Sequence, residues 1–233
     1  MAVAQNENIL CPTQETACLS SLIENEIPDI EEASWRDYAY RDLAVSTAYE
    51  GDIDKAVAYI AKIESGDTQA MTIRAIGMAL ALHKDMENVY YKRIFTRLNT
   101  AAKQIKDEGA RDIAYTYIAM AQAFAGLDED ATLTTAAMQK PELKYKAFAE
   151  TAEIQAERGD FRAAMTSIEM IQSVAFKNKA LSLISAIFTK RGDYESAYQA
   201  AMQITNSTKK ANALQNIVNV KIGLDEQQGG KSE

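Results

Sequence analysis

Histidine is almost missing from this chain. His83 is the only one in 233 residues, and no Ser, Cys or paired carboxylate stands near it at a spacing that serves acid–base or nucleophilic catalysis. Phosphate-cradling glycine loops are missing too, since the one Gly-Gly pair, Gly229-Gly230, lies in a polar tail. No window of about eighteen apolar residues occurs, so no segment is expected to span a bilayer. Basic residues are outnumbered, 25 against 33 acidic, and the net charge of −8 opposes binding to nucleic acid or to anionic membranes. Only three prolines are present, and no alternating run bounded by turn signals appears, which leaves an all-α class. The carboxylates scatter over polar helix faces, as solvated faces do. An enzyme is not expected, and no cofactor or metal is implied.

Cysteine is scarcer than proline. The two residues, Cys11 and Cys18, lie seven apart in a polar segment. A zinc site needs four ligands, and the chain offers these two and the distant His83. A catalytic cysteine wants a positioned base, and none is nearby. A local disulfide fits an exported protein, periplasmic or secreted, and closes a loop worth roughly 2.5 kcal/mol on the chain-entropy account. Two unlinked thiols in a cytoplasmic protein are the alternative. Ala2-Val3-Ala4 resembles the small-residue pattern before signal cleavage, although the charged and apolar parts of a signal peptide are not seen.

What is present in quantity is a repeat, and such periods decide the fold. Stepping back by thirty-three from Gly192 reaches Gly159 and then Gly126; a step of forty-two reaches Lys84, and thirty-three more reaches Gly51. Like residues follow the same ruler. Tyr40, Ile73, Tyr115, Phe148, Leu181 and Leu214 form one apolar column, and Leu43, Ile76, Ile118, Thr151, Ile184 and Ile217 a second. Ala44, Gly77, Ala119, Ala152 and Ser185 form a small column, broken at Val218, and Ala56, Val89, Ala131, Ala164 and Ala197 follow each hinge. Apolar residues at spacings of three and four turn one stripe of each helix toward its neighbours. Small residues let helices approach, Gly ends one helix and the following Asp caps the next. One hairpin cannot bury its own apolar face, so successive hairpins are expected to stack.

Gly192-Asp193-Tyr194-Glu195-Ser196-Ala197 and Gly159-Asp160-Phe161-Arg162-Ala163-Ala164, each preceded by a small residue in the first helix, resemble the tetratricopeptide-type repeat. The resemblance covers roughly residues 35–224. It departs from the family in a period of thirty-three rather than thirty-four and in lacking the usual Pro after the second helix, which leaves related helical-hairpin repeats as alternatives. It implies a right-handed α-solenoid of about five and a half hairpins whose first helices line a concave binding surface. On that reading residues 1–33 are an arm with a helix over Thr16–Ile27 ended by Pro28, residues 34–224 are the solenoid, and residues 225–233 are a disordered tail.

Repeat two carries an insertion near 86–108. Its second helix is expected from about Met86 to Lys106, with Tyr90, Ile94, Leu98, Ala101 and Ile105 on one stripe, and to project beyond the stack; a tolerated insertion and a partner or dimer contact are the two readings. Trp35 reads as a packing anchor at the entrance to repeat one. A basic column, Arg36, Arg111, Lys144, Lys177 and Lys210 with Gln69 between, opens each first helix and is expected to pair with the preceding repeat rather than to read an acidic partner. Ser207–Ile222 is expected to be a polar capping half-repeat.

The concave face that the resemblance implies is asymmetric. In repeats one to three it presents Tyr38, Val45, Tyr49, Met71, Met78, Leu82, Ile113, Met120 and Phe124, rimmed by Arg41 and Arg74; in repeats four and five it presents Lys146, Glu153, Glu157, Lys179, Ala186 and Lys190. Met suits adaptable contacts with a helix or peptide. A protein or peptide partner is expected in the apolar half, burial of that half within the chain is the alternative, and self-association into a homo-oligomer is the competing role.

Overall fold

The computed structural model describes residue 11, residues 15–82 and residues 88–223. Met1–Gln5, His83, Lys84 and the tail from Asp225 lie outside the described residues. Among those described the chain is all-helical, with twelve α-helices, one 3₁₀ turn and no strand.

Two helix lengths alternate. The long helices are α2 (Ala33–Tyr49), α4 (Gly66–Leu82), α6 (Glu108–Phe124), α8 (Pro141–Glu157) and α10 (Val174–Lys190), each of 17 residues, with α12 (Ser207–Lys221) closing the series at 15. The short ones are α3 (Ile53–Ile60), α7 (Asp128–Ala136), α9 (Phe161–Glu169) and α11 (Tyr194–Met202), of 8 or 9 residues. The long helices begin at 33, 66, 108, 141, 174 and 207, which reproduces the ruler of the sequence. Each packs on the next long helix, α2 on α4, α4 on α6, and so on to α12, while α2, α6, α8 and α10 also pack on the short helix that follows.

The hinges explain why the helices stop where they do. Gly51, Gly126, Gly159 and Gly192 all hold positive φ, between 77° and 95°, a conformation that costs a residue with Cβ roughly 1–2 kcal/mol. Asp52, Asp160 and Asp193 follow and accept a hydrogen bond from the backbone N–H three residues on, capping the short helices. After Gly126 comes Leu127, so α7 starts without a side-chain cap and relies on the acidic run Asp128-Glu129-Asp130 at its positive end.

The two apolar columns are buried from Tyr40 and Leu43 through Leu181 and Ile184, and become half-exposed at Leu214 and Ile217, where the series ends. Each fully buried Ile or Phe contributes roughly 1.5–3 kcal/mol relative to exposure. Four members of the basic column bond within the chain. Arg36 and Arg111 donate to the carbonyls of Ile30 and Ile105, Gln69 to those of Ile60 and Ile63, and Lys177 to that of Glu169, so these side chains satisfy the carbonyl ends of the preceding segments. Arg36 also pairs with Glu64.

A second set of ties was not apparent from the repeat pattern. Asp37 on α2, 4% exposed, accepts from the N–H groups of Glu64 and Ser65 at 2.8 and 2.7 Å, just ahead of α4. Asp112 on α6, fully buried, accepts from those of Gln139 and Lys140, just ahead of α8. Asn178 on α10 accepts from the N–H of Thr205 ahead of α12, and its amide donates to the Thr205 hydroxyl. Each long helix in this set thereby holds the turn that leads into the next, while Ser65 and Asn206 cap α4 and α12 with their own side chains.

Three expectations are corrected. α5 (Asn88–Gln104) is indeed about two turns longer than the short helices, but those turns lie against α3: Tyr91, Ile94 and Phe95 are buried, and Arg93 and Arg97 both pair with Asp54. They do not project. Val89 does not belong to the column that follows the hinge, for it is 77% exposed; Leu98, thirty-three before Ala131, is fully buried and takes that place. The extra residues therefore enter ahead of Leu98. Trp35 is no packing anchor, being 61% exposed and edge-on to Tyr38 at 6.1 Å between ring centres.

α1 (Thr16–Glu26) and the 3₁₀ turn Ile27–Asp29 cap the first hairpin. Ile27 enters the core formed by Tyr40, Leu43, Tyr59 and Ile63, whereas Leu19 and Ile23 stay exposed, so the docking of α1 is largely polar. Its anchor is Glu24, which accepts from the Tyr59 hydroxyl at 2.7 Å and pairs with Lys62 and Lys55. The Tyr59 hydroxyl, then the two lysines, hold this carboxyl down at about 2 against the opposing effect of burial. An undocked Glu titrates near its ordinary value of 4.5. The stabilisation from Glu24 is therefore fully present above pH 4.5 and is lost as the pH falls from there through about 2. Proteolysis of α1 is expected to rise across that window in the native chain, and Glu24→Gln is expected to show the same rapid cleavage at pH 7 with the pH dependence removed.

Candidate functional site

The candidate site is the side of α2, α4 and α6 that faces away from the short helices. Because these helices have equal length and a fixed register, residues at matching positions form rows across them. One row is Val45, Met78 and Met120, a second is Tyr49, Leu82 and Phe124, and a third is Tyr38, Met71 and Ile113.

Two clefts lie between the helices. The first, of about 190 Å³ between α2 and α4, is lined by Arg41, Val45, Met71, Arg74, Ala75 and Met78. The second, of about 320 Å³ between α4 and α6, is lined by Arg74, Gly77, Met78, Tyr117, Met120, Ala121 and Phe124. They share Arg74 and Met78, so the apolar surface continues across three helices. Met78 and Phe124 are 52% and 53% exposed. Burial of this half within the described chain is thus not what the structure has.

Gly77 sets the depth of the second cleft. A Cβ at this position would stand 3.1 Å from the Cβ of Ala121, closer than side chains tolerate without a shift, so glycine allows α4 and α6 to come together beneath the cleft. The rim is aromatic and cationic: the Arg74 guanidinium lies 5.3 Å over the Tyr117 ring and that of Arg41 lies 5.0 Å over Tyr38. Such stacking orients the Arg74 cation, whereas Arg41 is also held by Asp42, which accepts from its Nε and Nη2.

Of the residues expected at the site, Arg41, Val45, Met71, Arg74, Met78, Met120 and Phe124 line the clefts. Tyr38 borders the first through Arg41. Tyr49 and Ile113 are exposed on the same helices and line neither cleft, and the side chain of Leu82 lies outside the described residues. Tyr117, Ala75, Gly77 and Ala121 were not expected there. Tyr117 shares its register position with Asp42, Ala75, Glu150 and Leu183, a row of unlike residues in which no repeat signal exists.

On α8 the same rows change character. Glu153 stands where Met120 stands on α6, and Glu157 where Phe124 stands. Burial, with Glu157 and Glu150 nearby, pushes the Glu153 carboxyl above the ordinary carboxylate range. A further cavity of about 350 Å³, between α7 and α9, has a mixed lining that includes Leu133 and Ala163, and its carboxylate Asp128 is already held by Arg158 and Gln155.

Cys11 and Cys18 lie at disulfide distance, with 5.7 Å between their Cα atoms. Among the described residues no group of three His, Cys, Asp or Glu could hold a metal ion, and no helix is long and apolar enough to cross a membrane. Comparison with protein-family models, with curated proteins and with solved structures finds no match to this chain.

Proposed function

We propose that residues 34–224 form a right-handed α-solenoid of about five and a half tetratricopeptide-like hairpins, and that the chain is a non-enzymatic adaptor which binds a protein or peptide across α2, α4 and α6. The observation that carries the reading is the pair of adjoining apolar clefts sharing Arg74 and Met78. Contiguous apolar surface on a soluble protein marks an interaction site, and thioether side chains adapt to a peptide's shape. The alternation of long and short helices at the repeat spacing, with positive-φ glycines at corresponding bends, supports the solenoid. An exported location, periplasmic or secreted rather than cytoplasmic, is supported by the Cys11–Cys18 pair tying the segment ahead of α1.

The test is the variant Met78→Asp with Met120→Asp. Met78 is 52% exposed, whereas Met120 is partly buried beside Ala119, Ala123 and Ile154, so the variant is expected to keep the parent's helix content and to lose about 1–3 kcal/mol of stability. Proteins captured from the native cell envelope by the parent chain are expected to be lost by the variant. Recovery of the same proteins at the same level by a folded variant overturns the proposal.

A second reading is self-association. α12 has no following short helix among the described residues, and its Val218 and the Ile222 that ends it are exposed. Light scattering after size exclusion separates the two roles: the adaptor reading expects a monomer or small oligomer, and end-to-end pairing expects mass that rises with concentration and falls on Val218→Asp.

A further inference from the structure

The charges around the clefts are unequal in how they are satisfied. Arg41 is neutralised by Asp42 at 2.8 Å, and Glu150 by Lys146 at 3.6 Å. Arg74 makes no ion pair among the described residues, and neither do Glu153 and Glu157 on α8. Lys179 and Lys190, on the neighbouring α10, make none with these carboxylates either. One cation and two anions are thus left open, on either side of an apolar stretch formed by Met78, Met120 and Phe124. Arg74 also lies over the Tyr117 ring and lines both clefts, so its guanidinium stands within the groove.

Resting on the adaptor reading above, we propose that the groove takes an extended segment of a partner protein carrying an acidic side chain for Arg74, apolar side chains for the two clefts, and a basic side chain for Glu153 and Glu157. Charge complementarity selects this occupant. An all-apolar segment would leave Arg74 and the two glutamates unpaired under it, and desolvating unpaired charge opposes binding. A polyanion would meet Glu153 and Glu157, and a polycation would meet Arg74. Packed helices lie about 8–10 Å apart, so two steps from α4 to α8 span about 16–20 Å. An extended chain covers that distance in about five or six residues at about 3.3 Å each. Glu153 and Glu157 also stand about 6 and about 12 Å further along the helix axis than Arg74, so the acidic and basic side chains of the partner are about five to seven positions apart, with apolar residues between them.

The experiment is selection of a displayed library of random 12-residue peptides on the immobilised full chain, followed by titration of labelled synthetic peptides. Enriched sequences are expected to hold Asp or Glu and Lys or Arg at that separation around apolar residues. Arg74→Glu and the double change Glu153→Lys with Glu157→Lys are each expected to weaken the best peptide at least tenfold without moving the thermal midpoint. A peptide with its two charges exchanged is expected to bind the triple variant better than the parent chain. Peptides that lose binding on Met78→Asp yet ignore the charge variants overturn this inference and leave the groove reading standing. Peptides indifferent to Met78→Asp overturn both. A dimer that Met78→Asp dissolves makes the occupant a second copy and overturns the inference as well.

Discussion

Asp112→Ala is expected to lower stability by about 3 kcal/mol, a fall of roughly 6–12 °C in the thermal midpoint of a chain this long. The side chain is fully buried, and its two oxygens accept from the N–H of Gln139 and from that of Lys140, the latter at 2.7 Å. Lys140 is the N-cap residue of α8, so the carboxylate fixes the backbone that enters the helix and places the negative charge favoured at that helix end. Removing it leaves two backbone donors without their partner beside a buried side-chain position, and stranded donors cost more than the bond itself is worth. Asp112→Asn is expected to cost about half as much, because the amide keeps one acceptor but turns donors toward other donors. Asn178 can serve at the matching position because the Thr205 hydroxyl accepts from its amide; ahead of α8 the corresponding residue is Gln139, whose side chain donates instead to the Ala137 carbonyl. Thermal unfolding of the three proteins checks the order. An Asp112→Ala protein as stable as the parent removes this carboxylate from the set of structural ties.

Leu98→Ala is expected to cost about 3 kcal/mol, whereas Val89→Ala is expected to change stability by less than about 0.5 kcal/mol. The pair locates the insertion energetically. Leu98 is fully buried in the core that joins α3, α4, α5 and α6, and truncating it opens a cavity among Ile94, Phe95, Ala102 and their neighbours. Val89 points to solvent at the start of the same helix. Chemical denaturation of the two variants gives the comparison directly. Equal and large losses would mean that both residues are core and that the register of α5 is misassigned.

Much of the architecture was legible from residues alone, for a definite reason. Buried columns repeat because the same packing problem recurs at each hairpin, so Tyr40 through Leu181 and Leu43 through Ile184 could be read by counting. The start of α5 could not be read that way. An insertion has no column of its own, and counting forward from the hinge chose Val89 where counting backward from Ala131 finds Leu98. Asp37, Asp112 and Asn178 were passed over because Ala70 and Tyr145 interrupt their row, and a polar residue inside an apolar stripe carries no periodic signal. The clefts were half legible. Met78, Met120 and Phe124 stood out as apolar residues on an exposed row, but Tyr117 belongs to a row of unlike residues, and a binding face is where successive repeats stop resembling one another.

Among the described residues, side-chain hydrogen bonds join positions at most forty-three apart along the chain, as in Arg97 to Asp54, and most of those between hairpins span twenty-seven to thirty-five. Nothing in that set ties the first hairpin to the last. A module such as Val174–Asn206 accordingly carries its whole wiring with it: spliced in again before Ser207, it would meet Asn206 as its cap and hand an identical Asn178–Thr205 junction to α12. On the solenoid proposed above, the span of the molecule can be set by editing the number of segments instead of by redesigning any one of them.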